Sequence, residues 1–163
     1  MKKYLAILFA VATLGAGCSA APIVPAEPSQ ALPVAKEPSS ATTLDLSGKG
    51  LTAIPADVFT RTDLERLDLS DNRLTGAPQS QIGQLENLKF LDLSNNSLTG
   101  LPAELGRLSK LETLDASNNK LTGLPMELGN LTQLRVLDVS GNAYSKQDLD
   151  QIAAKLPNTE IRR

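Results

Sequence analysis

The chain has 163 residues, with 16 Lys and Arg against 18 Asp and Glu, no His, no Trp, one Cys and 3% aromatic residues. Without His there is no imidazole for general-base or metal-binding chemistry, and a single thiol closes off an intramolecular disulfide or a thiolate zinc site. A net charge of −2 with so few aromatics also excludes the basic, base-stacking footprint of a nucleic-acid binder, which leaves the 29 Leu to be explained by architecture.

Residues 1–17 have the composition of an export signal. Basic Met1-Lys2-Lys3 precedes a twelve-residue, mainly apolar run from Leu5 to Ala16. As a helix that run is about 18 Å long, short of a hydrocarbon core of about 30 Å. The small residues Leu14-Gly15-Ala16-Gly17-Cys18 follow. This stretch resembles the lipobox of bacterial lipoproteins, with Gly15 where an aliphatic residue is usual. The resemblance implies cleavage before Cys18 and acylation of its thiol. It also implies an envelope location, at the outer membrane if the source is Gram-negative, because Ser19 and not Asp follows. An ordinary signal peptide cut near Ala20 or Ala21 is the alternative, and it would discard Cys18. Without Lys2 and Lys3, 14 basic side chains face 18 acidic ones, a net charge of −4.

Residues 18–40 carry the attachment point and a tether. Pro occupies 22, 25, 28, 33 and 38, which rules out a continuous helix or a central strand and predicts disordered, polyproline-II-like chain. The twenty-two residues after Cys18 reach at most about 70 Å at about 3.1 Å each.

From residue 41 onward the chain repeats. Leu44-Asp45-Leu46-Ser47, Leu67-Asp68-Leu69-Ser70, Leu91-Asp92-Leu93-Ser94, Leu114-Asp115-Ala116-Ser117 and Leu137-Asp138-Val139-Ser140 begin 23, 24, 23 and 23 residues apart. A fixed period of this kind marks a solenoid. Leu-x-Leu has period two, so both Leu face one side of a short strand and the Asp faces the other. The frame Leu-x-x-Leu-x-Leu-x-x-Asn-x-Leu, as in Leu88, Leu91, Leu93, Asn96 and Leu98, resembles the leucine-rich repeat family. The resemblance implies an α/β fold: a right-handed superhelical solenoid with a short-stranded parallel sheet on its concave face and short helical turns on its convex face. It covers 41–163, with five repeats and a C-terminal helix-strand cap at about 143–163.

Within this frame Asn72, Asn96, Asn119 and Asn142 form a column expected to be structural, each amide satisfying loop backbone groups of its own and neighbouring repeats. Lys49 replaces Asn in the first copy. Pro55, Pro78, Pro102 and Pro125 fit the first turn of each helical segment, and Gly83, Gly106 and Gly129 fit its end. Arg61 stands where later copies have Leu, and the second copy has one extra residue, both signs of weaker packing near the N-terminal end. Near the C-terminus, Leu149, Ile152, Ala153 and Leu156 have helical spacing. Ser145 with Asp148 is an acidic variant of the helix-start box, and Thr159-Glu160-Ile161-Arg162 reads as a last strand.

In this family ligands are usually taken on the concave sheet. The residues there are Thr43, Arg66, Phe90, Thr113 and Val136 in one column, then Asp45, Asp68, Asp92, Asp115 and Asp138. The Ser residues 47, 70, 94, 117 and 140 come next. Two carboxylates about 5 Å apart repel by about 3 kcal/mol at an effective dielectric of about 20, so the Asp column raises some carboxylate pKa values or attracts cations and basic groups. Phe90 is a natural partner anchor. Paired carboxylates can cleave glycosides, but a repeated shallow sheet implies no asymmetric pocket. The expectation is a non-catalytic, monomeric, lipid-anchored extracytoplasmic module that binds a partner protein. It needs no cofactor and no metal, binds no nucleic acid, and meets the membrane through Cys18. The alternatives are an envelope structural component or adhesin for peptidoglycan or host glycan, and a scaffold whose Asp column binds calcium.

Overall fold

The computed structural model describes residues 42–163. The expected signal peptide, Cys18 and the tether lie outside the described residues. Eight strands follow in chain order: β1 Thr43–Asp45, β2 Arg66–Asp68, β3 Thr75–Gly76, β4 Phe90–Asp92, β5 Ser97–Leu98, β6 Thr113–Asp115, β7 Val136–Asp138 and β8 Glu160–Arg162. Six of them form one parallel sheet in the order β1-β2-β4-β6-β7-β8, and β3 pairs with β5 in a small parallel ribbon. The fold is therefore a leucine-rich-repeat solenoid. The two-residue strands β3 and β5 are an addition to the pattern read from the sequence.

Parallel register places Leu44, Leu67, Leu91, Leu114, Leu137 and Ile161 side by side across the sheet. From Leu67 to Leu137 these side chains are fully buried, together with Leu69, Leu93 and Val139. Each such burial contributes about 2 kcal/mol, offset by the entropy of ordering the chain. Leu44, Leu46 and Leu51 in the first repeat are only partly buried, and so is Ile161 at the other end. The ends of the stack are where the hydrophobic layer thins.

Five strands, β1, β2, β4, β6 and β7, turn into their loops through a left-handed residue. Gly48, Asp71, Asn95, Asn118 and Gly141 all have φ between 52° and 68°, at equivalent positions of the five repeats. Gly, Asn and Asp tolerate that conformation best, and the turn brings the next residue, the column Asn, inward. The Asn119 amide then donates to the carbonyls of Leu93, Ala116 and Ser117 while its Oδ1 accepts the Leu98 N–H. Asn72, Asn96 and Asn142 repeat this arrangement, each joining its own turn to the preceding repeat.

On the opposite side the helical turns are short 3-10 segments at Ala56–Thr60, Ser80–Gln84, Ala103–Arg107 and Met126–Asn130. Two sequence expectations change here. Pro55, Pro102 and Pro125 stand just before the segment in extended backbone and not in its first turn; the extra residue of the second repeat puts Gln79 in that place. Gly83, Gly106 and Gly129 do not end helices by adopting positive φ. They are glycines because the next element packs against them: a Cβ on Gly106 would lie 2.5 Å from the Glu127 carbonyl oxygen, and one on Gly83 would lie 2.8 Å from that of Glu104. The requirement acts between repeats, which a local helix-end signal does not reveal.

The C-terminal unit consists of helix α1, Lys146–Lys155, and strand β8. Leu149, Ile152 and Leu156 are buried against the last repeat. Ser145 occupies the N-cap position, but its side chain makes no capping bond; its carbonyl instead accepts the N–H of Asp148. No helix among the described residues is long and apolar enough to cross a membrane.

Candidate functional site

The open surface of the six-stranded sheet carries the sequence-predicted residues in rows. Thr43, Arg66, Phe90, Thr113, Val136 and Glu160 are register partners on successive strands, as are Asp45, Asp68, Asp92, Asp115, Asp138 and Arg162. Arg66 is exposed and Phe90 half-buried. Across the β2–β4 pair the Arg66 guanidinium carbon lies 3.5 Å from the centroid of the Phe90 ring. Its Nη2 also lies 3.8 Å from Asp68 Oδ2. A cation–π contact at an open site contributes about 0.5–1 kcal/mol, which favours this arrangement of the two side chains on the face by a few-fold.

The Asp and Ser rows are not two free rows. In each repeat the Asp Oδ1 accepts the backbone N–H of the Ser two residues on. In four repeats it accepts the Ser hydroxyl as well, at 2.6–2.7 Å. Ser70, Ser94 and Ser117 are buried and Ser47 and Ser140 half-buried, so the expectation that the Ser column faces a ligand is corrected at the three central positions, where one oxygen of each Asp serves the strand exit.

The remaining Oδ2 atoms set the electrostatics. Burial, with the charges of Asp115 and Asp68 adding, pushes the Asp92 carboxyl above the usual carboxylate range despite the Ser94 hydrogen bonds. At the open end the Asp45 carboxyl is held below that range by Ser47, first through its side chain and then its backbone. Burial, with repulsion along the column adding to it, therefore raises the central Asp92, while the exposed Asp45 is lowered by its Ser47 hydrogen bonds. Arg162 Nη1 approaches Asp138 Oδ2 at 4.0 Å, closing the row at β8. Among the described residues no group of three or more Asp, Glu or Cys could hold a metal ion.

A further row escaped the period-two reading. Glu65, Lys89, Glu112 and Arg135 stand one residue ahead of the strands and pair across neighbouring repeats. Lys89 Nζ lies 3.0 Å from Glu65 Oε2, and Arg135 Nε lies 3.4 Å from Glu112 Oε2. Alternating sign at 23–24-residue spacing was the signal that could have found it. Away from the sheet, a cavity of about 160 Å³ opens between the first repeats, lined by Ile54, Leu74, Leu98 and Ala77 among others. The extra residue of the second repeat puts the buried Pro78 in the place of Ile54, Leu101 and Leu124, and Ala77 stands exposed at the rim of this cavity.

Comparison with known proteins agrees with this geometry. The leucine rich repeat family model matches residues 39–98, 62–121 and 88–143. A leucine-rich-repeat protein of Leptospira interrogans is similar over 69% of this chain and 34% of its own, with 32% identity and a TM-score of 0.58. A plant peptide hormone receptor, RGFR1, solved with RGF2, is 44% identical over 61% of this chain and 16% of its own, with a TM-score of 0.57. The BIR3–SERK2 complex of Arabidopsis thaliana contains a chain 40% identical over 63% of this one and 56% of its own, with a TM-score of 0.58. This chain thus spans about a third of the Leptospira protein and a smaller part of the hormone receptor. No curated protein matches the sequence. With the repeat model covering more than half of its length, the chain belongs to the leucine-rich repeat family.

Proposed function

We propose that this protein is a lipid-anchored, extracytoplasmic module of a bacterial envelope that recognises a partner protein through the open sheet face, without turnover. The observation that carries the reading is the Arg66–Phe90 stack, a large apolar ring beneath a guanidinium on a face whose other residues are mainly Asp, Ser and Thr. Aromatic and Arg side chains are the usual anchors of protein interfaces. The relatives solved as complexes with a peptide hormone or another receptor chain support a binding role in this family. The anchor rests on Leu14-Gly15-Ala16-Gly17-Cys18, and the Pro-rich residues up to 40 act as the spacer that holds the domain off the membrane.

Two arms test the proposal. Fatty-acid labelling of the parent chain and of Cys18→Ser reads the anchor: label on the parent alone is expected, and an unlabelled parent ends the lipoprotein claim. Co-purification of crosslinked partners by the parent and by the Arg66→Ala/Phe90→Ala double variant reads the face. Loss of a discrete partner in the variant is expected. Undiminished recovery of cell-wall material by the variant would favour the glycan-binding alternative instead.

A further inference from the structure

The sheet face contains its own example of how it holds a cation. The Arg66 guanidinium carbon lies 3.5 Å from the Phe90 ring centroid and its Nη2 3.8 Å from Asp68 Oδ2, so one guanidinium meets a ring and a carboxylate at once. At the far end Arg162, in register with Asp138 on the neighbouring strand, approaches its Oδ2 at 4.0 Å. Between these two, no ion pair among the described residues reaches Asp92 or Asp115. Their Oδ1 atoms are committed to Ser94 and Ser117, which leaves each Oδ2 to the face.

The shape beside these carboxylates is uneven. Arg66 comes to Phe90 from β2; on the other side, β6 offers Thr113 as register partner and β7 offers Val136. The short Thr side chain makes a step between a ring and a branched aliphatic, about two strand spacings, or roughly 9.6 Å, across. The cations bordering the step, Lys89 and Arg135, are already paired with Glu65 and Glu112, so the field at the step is that of Asp92 and Asp115.

We infer that the partner places one arginine side chain on this step, its guanidinium plane against Phe90 and its N–H groups donating to the Oδ2 atoms of Asp92 and Asp115. The assignment rests on the partner-protein reading above and names the side chain that the face selects. Arginine fits better than lysine because a planar, weakly hydrated guanidinium can stack on a ring, as Arg66 does next door, while donating to two oxygens together.

The test titrates the full chain, followed by amide NMR, with acetyl-Gly-Arg-Gly-amide and with its citrulline counterpart, which has the same shape and no charge. Saturable shifts at Phe90, Thr113 and Asp115 are expected from the arginine peptide, with citrulline at least about tenfold weaker. Asp92→Asn/Asp115→Asn keeps the oxygen that accepts from Ser94 and Ser117, and is expected to weaken binding by about tenfold or more; Asp45→Asn is expected to stay within about twofold. Thr113→Leu, which fills the step, is expected to abolish the shifts. Equal binding of the citrulline peptide, or equal losses in Asp45→Asn and the double variant, would overturn the assignment. Photo-crosslinking from Val136 in cells separates the two claims. A discrete partner that persists in Asp92→Asn/Asp115→Asn removes the arginine and leaves the partner reading standing. Absence of any partner overturns the partner reading and, with it, the arginine's source.

Discussion

Asn119 Oδ1 accepts the backbone N–H of Leu98 at 2.9 Å, joining a buried amide to the repeat before it. The same side chain donates to three carbonyls, so its removal strands several buried groups together. Leaving buried partners unsatisfied costs about 1–3 kcal/mol each, partly relieved by relaxation. Asn119→Ala is expected to lower unfolding free energy by about 3 kcal/mol in urea denaturation, whereas Lys49→Ala, at the exposed first copy of the column, is expected to change it by less than about 0.5 kcal/mol.

Gly106→Ala tests whether the glycine row is set by contact between repeats. Its Cβ would meet Glu127 backbone at 2.5 Å, while a Cβ on Gly100 meets nothing within 4 Å. The expected cost is about 2 kcal/mol at 106 and near zero at 100, read from paired thermal melts. Similar costs at both positions would show that contact with Glu127 is not what selects glycine at 106.

Ala77 is exposed at the rim of the cavity of about 160 Å³, while Pro78 fills the buried place of Leu101 and Leu124, so Ala77→Leu is expected to change stability by less than about 0.5 kcal/mol. The midpoint of urea unfolding checks this.

Asp92 and Asp45 should respond to pH with opposite sign. A carboxyl whose pKa is raised in the folded chain binds its proton more tightly there, so its ionisation removes stability as pH climbs from the unfolded value of about 3.9 through the folded one. Burial raises Asp92 in this way. Asp92→Asn is therefore expected to gain stability over the parent as pH rises above about 4 and to lose that advantage in more acid solution. Asp45, lowered by Ser47, contributes stability above its unfolded pKa and loses it as pH falls below about 3.9, so Asp45→Asn should cost stability at neutral pH and approach the parent in acid. Denaturation midpoints of the three chains between about pH 3 and 7 decide it.

The repeat frame and its strands were legible because burying Leu in a stacked sheet imposes a period that no single side chain can disguise. Leu67, Leu91, Leu114 and Leu137 needed only counting. The left-handed row from Gly48 to Gly141 is also present in the sequence as Gly, Asp or Asn at one fixed place, but Asp and Asn there serve equally in other turns, so the residue type alone does not reveal a positive φ. Requirements between repeats were harder to see: Gly106 is fixed by Glu127, 21 residues on, and Ser94 is drawn inward by Asp92 in a turn that strict alternation does not predict. On the candidate face the sequence could name Arg66 and Phe90, but not that they stack, since neighbours in register are 24 residues apart in sequence.

The most direct test of the sheet face as a partner-binding surface is site-specific photo-crosslinking in cells from Val136, on that face, and from Gln81, on the 3-10 side. A discrete crosslinked protein from Val136 but not from Gln81, reduced at least about tenfold by Phe90→Ala, is the expected result. Equal crosslinking from both positions, or a species from Val136 that ignores Phe90→Ala, would contradict it.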